Sequence, residues 1–160
     1  MNSAEEIVKF WLQQKGYFIQ SSIRLPLNKE IDILAMNKEN GGKKHIEVSV
    51  SIRMADYKNN PQTKAQDYFE KKFNNITVKN EVEKRFSKIY TRELVVGDIT
   101  LQGKNQLSEF TAECKKLNIN VIHISTILDE IIPTLGTGSQ LNSTIKTIQI
   151  VSNFYNKGTN

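Results

Sequence analysis

Two short runs of alternating hydrophobicity, "EIDILAM" (30–36) and "HIEVSVSI" (45–52), flank the turn signal "KENGGK" and leave this stretch little conformational choice. Each run alternates apolar and polar side chains with the period of two expected of a half-covered strand. The asparagine and glycines between them turn the chain back on itself, so an antiparallel hairpin is expected. Successive strand side chains point to opposite faces. Ile31, Ile33 and Ala35 therefore share one face and Asp32 takes the other. Likewise Ile46, Val48 and Val50 share a face, opposite His45, Glu47, Ser49 and Ser51, which form a wet or catalytic face. A hairpin centred on Glu39-Asn40 sets Asp32 opposite Glu47. One centred on Asn40-Gly41 sets Asp32 opposite Ser49, with Glu47 diagonal. In either register the two carboxylates share a face, because opposed Cβ atoms are about 5 Å apart.

The flanking sequence supplies layers for this hairpin. Residues 3–15 read as a helix, with Ser3 as N-cap, Glu6 completing a capping box and Gly16 as the stop. Its apolar stripe is Ala4, Ile7, Val8, Trp11 and Leu12. "YFIQSSIRL" is a strand that enters a turn at Pro26-Leu27-Asn28, which makes the three strands an antiparallel meander. Residues 62–88 read as one or two polar helices around "NNITVKN". Strands follow at 89–97 and 119–125, on either side of an amphipathic helix over 105–117, and a short helix runs to Ile132. "PTLGTGSQ" (133–140) reads as a linker, and 143–155 as a last amphipathic helix with Ile145, Ile148, Val151 and Tyr155 in line. The order predicts an α/β fold with an αβββαβ core, a mixed sheet flanked by helices and an extra C-terminal helix. The expected division is a domain over 1–132, then linker and helix over 133–160.

Bulk properties exclude several classes. There is no long uncharged apolar run, so no transmembrane helix and no membrane partner are expected. The opening "MNSAEEIVKFW" sets acids before apolar residues, unlike a secretory signal, and a cytoplasmic location is expected. The single cysteine, Cys114, permits no internal disulfide and reads as a buried small hydrophobe. The net charge is +5, and the stretch from Lys38 to Lys88 alone carries 12 basic and 7 acidic residues, 12 − 7 = +5. A local surplus of this kind suits DNA, and equally suits a solvated lysine-rich surface.

Neighbouring carboxylates repel, and a divalent cation offsets this well. Mg²⁺ takes hard oxygen ligands, often one or two carboxylates with waters and substrate phosphates. Such a cation polarises a phosphate and lowers the pKa of a bound water. Glu5, beside Leu12 at the edge of the first helix's stripe, reaches over the sheet as a third acid. Each residue also has a plainer reading. Asp32 would be an acid on an exposed sheet face, Glu47 a surface partner of Lys44 or Arg53, and Glu5 a first-turn acid favoured by the helix dipole. His45 reads most simply as a strand-end surface histidine, and His123 as a core or edge residue.

Taken together, the acid-bearing first helix, "EIDILA" and "IEVSV" resemble the PD-(D/E)xK nuclease superfamily. The stretch "EEIVKFWLQQKGYFIQSSIRLP" resembles archaeal Holliday-junction resolvases and Mrr-like restriction endonucleases, in which an acid precedes a Gly-aromatic pair by eleven residues; here that selects Glu5 before Gly16-Tyr17. The resemblance implies a restriction-endonuclease-like fold and a metal-dependent DNA endonuclease. Its cofactor would be Mg²⁺, with Mn²⁺ as substitute, held by Asp32 and Glu47 with Glu5 as an outer ligand or water holder. Its partner would be DNA, and a homodimer through the C-terminal helix would suit paired cuts on two strands.

Ser49 departs from the pattern, because the family carries a lysine there. Three accounts stand open. A lysine comes from the following helix, with Lys64 best placed and Lys71 and Lys44 behind it; or Ser49 itself orients a water; or the chain is a non-cleaving DNA-binding or assembly module with the same fold. In "PQTKAQDYFEKKF" (61–73), Gln62, Gln66 and Tyr68 are further candidates, against the reading that Tyr68 and Phe69 are core. An α/β interaction domain whose last helix docks a partner is the reading that involves no nucleic acid.

Overall fold

The computed structural model describes residues 2–50, 54–138 and 142–154. The chain runs α1 (Ser3–Gln14), β1 (Tyr17–Leu25), β2 (Lys29–Asn37), β3 (Lys43–Ser49), β4 (Met54–Asp56) and α2 (Pro61–Tyr68). A π-helical turn, Phe69–Phe73, prolongs α2 before α3 (Ile76–Phe86) and β5 (Thr91–Val96). Then come β6 (Ile99–Leu101), β7 (Lys104–Asn105), α4 (Leu107–Lys116), β8 (Ile119–His123), α5 (Ile124–Ile131), a 3-10 turn at Ile132–Thr134, and α6 (Ser143–Phe154).

The principal sheet has the order β1-β2-β3-β5-β8. β1, β2 and β3 are antiparallel neighbours, and β5 and β8 continue parallel to β3. The fold is thus α/β, with a five-stranded mixed sheet flanked by helices and a helix at the C-terminal end. A parallel pair needs a crossover long enough to carry a helix. α2 and α3 lie in the first such crossover and α4 in the second. A small second sheet, β4-β6-β7, has strands of two or three residues that periodicity does not reveal.

Alternation along the strands divides the core. On one side Ile33, Ala35, Ile46 and Val95 pack against Val8, Trp11 and Leu12 of α1, with Ile127, Ile131, Leu135 and Ile145 completing that layer. On the other side Leu94 and Val96 meet Ala65, Phe73, Phe110 and Cys114. Ile31 departs from simple parity: it joins Leu34, Val78 and Val82 beneath α3. The β1–β2 ladder runs through Ser21↔Ile33 and Ile23↔Ile31 but omits Ser22 and Asp32 between them. Ser22 has φ 52°, a left-handed backbone that interrupts the ladder beside Asp32.

Several local expectations are corrected. The N-cap of α1 is Asn2 rather than Ser3, and its side chain accepts from Glu5 N–H. Glu5, rather than Glu6, therefore holds the reciprocal position, and Asn2 Nδ2 donates back to Glu5 Oε1 at 2.7 Å. Glu6 instead pairs with Lys9 and accepts from Asn142 beside α6. In α6 Ile145 and Gln149 are buried and Ile148 packs on the core as expected, whereas Val151, with Ile150 and Phe154, is exposed. Ser51, Arg53 and Tyr155, singled out from the sequence, lie outside the described residues. Among the described residues no helix is long and apolar enough to cross a membrane.

Candidate carboxylate–lysine site

The β2–β3 ladder pairs Ile33 with Ile46 and Leu34 with His45, so the hairpin is centred on Glu39-Asn40 and its register sets Asp32 against Glu47. Ladder pairing ends there, and Asp32 Oδ2 takes up Val48 N–H at 2.8 Å. The aspartate thus satisfies a strand amide at the point where β2 stops pairing with β3. Asp32 is 8% exposed and Glu47 1%, which removes the reading of either as a surface acid. Burial, then the Glu47 charge beside it, pushes the Asp32 carboxyl up from 3.8 to about 7. Val48 N–H and Lys72 act against that rise, and Glu5 adds to it.

Glu47 is held from two sides. Its Oε1 lies 2.8 Å from His45 Nε2. Its Oε2 lies 2.9 Å from the ammonium of Lys72 in the π-helical turn. That oxygen accepts no hydrogen bond of regular geometry, so the attraction to Lys72 is chiefly one of charge. Burial works against the Lys72 ammonium, but Glu47 and then Asp32 outweigh it and hold its pKa above the ordinary value. His45, expected at the surface, is instead fully buried, edge-on to Phe73 with ring centroids 4.9 Å apart. The face expected to be wet is therefore covered at His45 and Glu47, because the π-helical turn lies over it.

The other sequence candidates separate. Glu5 is 7% exposed; its Oε1 is tied to Asn2, and its Oε2 is buried without a partner. Ser49 Oγ lies 2.6 Å from Tyr68 Oη, a bond that ties β3 to α2. Lys64 directs its ammonium to Asp56 at 3.1 Å. Asp56 is itself held well below the usual carboxylate range by Lys58 N–H, Asn59 and Lys64. Lys71 pairs with Asp67 in solvent, and Lys44 with Glu93 at 2.5 Å. Gln66 bonds Glu70 in solvent. His123 caps α5 and touches Ser125 and Asp98. Burial pushes the Cys114 thiol up to about 12, so it is no nucleophile at neutral pH.

Lys72 is the residue that sequence reasoning missed. On a regular helix Lys64, Tyr68 and Lys71 share a side, at spacings of four and three. The π-helical turn adds a residue to that cycle, so Lys72 follows Tyr68 around the helix and Lys71 faces solvent. Nothing in the local composition signals the insertion.

Asp32 and Glu47 offer hard carboxylate oxygens of the kind Mg²⁺ takes. Burial and the neighbouring carboxylate raise the Asp32 pKa, as they do in any buried acid pair. The fit is that of two carboxylates: among the described residues no three His, Cys, Asp or Glu side chains stand close enough to hold a metal ion together.

The fold and the site define a mixed α/β protein with a buried carboxylate pair, one member of which is ion-paired to a lysine. No family model matches the chain, and no curated protein does. Two solved structures resemble it. One is the crystal structure of the protein of unknown function AF1548, at 12% identity and TM-score 0.48 over 95% of this chain and 78% of that one. The other is SfsA of Pyrococcus furiosus in complex with Ca²⁺, at 11% identity and TM-score 0.37 over 73% of this chain. This chain spans 52% of the length of SfsA. At these values neither likeness bears on function.

Proposed function

We propose that this chain is a metal-dependent DNA endonuclease of the PD-(D/E)xK type, in which Lys72 does the work of the lysine that Ser49 replaces. The observation that carries this reading is the Lys72 ammonium, 2.9 Å from Glu47 and delivered by the helix that follows the Glu47 strand. Asp32 and Glu47 would hold Mg²⁺ or Mn²⁺, and Glu5, with Oε2 unpartnered, would accept from a water. The cation supplies charge neutralisation at a phosphate and a bound water of lowered pKa. Asp32 would hold the cation as a carboxylate, the form that its raised pKa disfavours in the unloaded chain. Lys72, which lies 2.9 Å from Glu47, would be the cationic donor nearest a phosphate oxygen brought to this pair. A positioned donor of this sort supports the charge that develops in the transition state. Ser49, bonded to Tyr68, keeps the lysine-bearing helix seated on β3.

The alternative is a non-cleaving DNA-binding module of the same fold. It is favoured by the same ion pair read differently, with Lys72 as a permanent substitute for the cation. Incubation with duplex, single-stranded and branched DNA in Mg²⁺ or Mn²⁺ separates the two. The endonuclease reading expects cleavage that EDTA and Asp32→Ala abolish. It also expects Lys72→Ala to slow cleavage by about 10²–10³-fold, while Lys64→Ala leaves the rate within a few-fold. Salt-sensitive DNA binding with every substrate left intact would establish the binding module instead.

A further inference from the structure

We infer that His45 is the positioning residue for Glu47: it fixes the carboxylate so that Oε2 alone faces Lys72 and an incoming divalent cation. The inference rests on the endonuclease reading and goes beyond it. Three observations carry it. First, His45 is fully buried, yet its polar contact is Nε2 to Glu47 Oε1 at 2.8 Å. Second, Nδ1 is buried without a partner. An apolar side chain would pack against Phe73 without that cost, so the bond to Glu47 is what the imidazole provides. Third, the Glu47 carboxylate is also paired with Lys72, and a carboxylate oxygen accepts, so Nε2 donates to Oε1.

The geometry gives this bond a consequence. With Oε1 anchored, the carboxylate cannot turn both oxygens toward Lys72, and Oε2 stays where the Asp32 charge is felt. With the anchor removed, the carboxylate is free to chelate the ammonium. A cation then has to displace a firmer ion pair. Partners of this kind behind a metal-holding side chain typically alter metal affinity by about 10–100-fold. The rings beside His45 are those of Phe73 and Tyr90, and its register neighbours are Leu34 on β2 and Arg92 on β5.

Calorimetric titration of the full chain with Mn²⁺ tests this, using His45→Leu, His45→Gln and Lys72→Met. A Gln amide can donate to Oε1 as the imidazole does. His45→Leu is expected to weaken Mn²⁺ binding by about 10–100-fold, His45→Gln to recover most of that loss, and the double variant His45→Leu/Lys72→Met to bind nearly as well as Lys72→Met alone. Circular dichroism confirms that each variant is folded; if His45→Leu does not fold, His45→Gln and His45→Asn carry the comparison. Wild-type affinity in His45→Leu, or equal weakening in Leu and Gln variants, overturns the positioning role and leaves the endonuclease reading standing. A wild-type chain that takes up no Mn²⁺ overturns both.

Discussion

At the scale of single residues, Asp32 makes the molecule's stability depend on pH in a direction opposite to most aspartates. In the unfolded chain this carboxyl releases its proton near pH 4. In the folded chain burial and Glu47 delay release to about 7. Between those values the folded state binds more protons than the unfolded, so stability falls as pH rises from about 4 to about 7, and the whole cost remains above that. The span from 3.8 to about 7 corresponds to at most roughly 4 kcal/mol. Asp32→Asn removes the ionisation and keeps an oxygen for Val48 N–H. Without divalent cations, the variant is expected to be more stable than the wild type by about 1–4 kcal/mol at pH 8 and near-equal at pH 4. Urea unfolding at the two pH values measures this. An Asp32→Asn chain less stable than the wild type at pH 8 would refute the buried-pair account.

At the scale of elements, the π-helical turn decides which lysine meets the carboxylates. Phe73 fills the core below β5, Lys72 reaches Glu47, and Lys71 is left in solvent with Asp67. The two lysines are adjacent, so truncating each one separates the effect of place from that of composition. Lys72→Ala strands a buried carboxylate and is expected to cost about 1–3 kcal/mol. Lys71→Ala removes an exposed pair and is expected to cost no more than about 0.5 kcal/mol. Equal losses in urea titrations would mean that the turn does not place Lys72 as described. This element also marks how far the sequence could be read. The αβββ order, the strand limits near Asp32 and Glu47, and the face they share were legible because a period of two is a local signal. Which of two hairpin centres operates was not, because both satisfy the alternation. His45 could not be known as buried, since that depends on which helix lies over β3. Lys72 was hidden by an extra residue in a turn that α-helical periodicity cannot register.

At the scale of the whole molecule, the surplus charge is what pairing leaves over. Between residues 38 and 88 the excess is +5. Within that stretch Lys44, Lys64, Lys71, Lys72 and Arg85 stand in ion pairs, whereas the described Lys38, Lys58, Lys79, Lys84 and Lys88 stand in none. Unpaired lysines hold a counterion-seeking field that paired ones do not, and DNA phosphates satisfy it by releasing their own counterions. If about four of these lysines engage phosphates, the slope of log K against log salt is near −0.9 for each. Affinity should then fall by roughly 150-fold between 50 and 200 mM salt. The dependence is measured by fluorescence anisotropy of labelled duplex in EDTA, where cleavage cannot intrude. Replacing Lys84 and Lys88 with alanine should lower the slope by as much as about 2, because counterions stay condensed on every phosphate that no ammonium neutralises. A slope near zero in the wild type would instead make the lysines a solvated surface, and the nucleic-acid reading of the carboxylate site would lose its means of bringing a phosphodiester to Lys72.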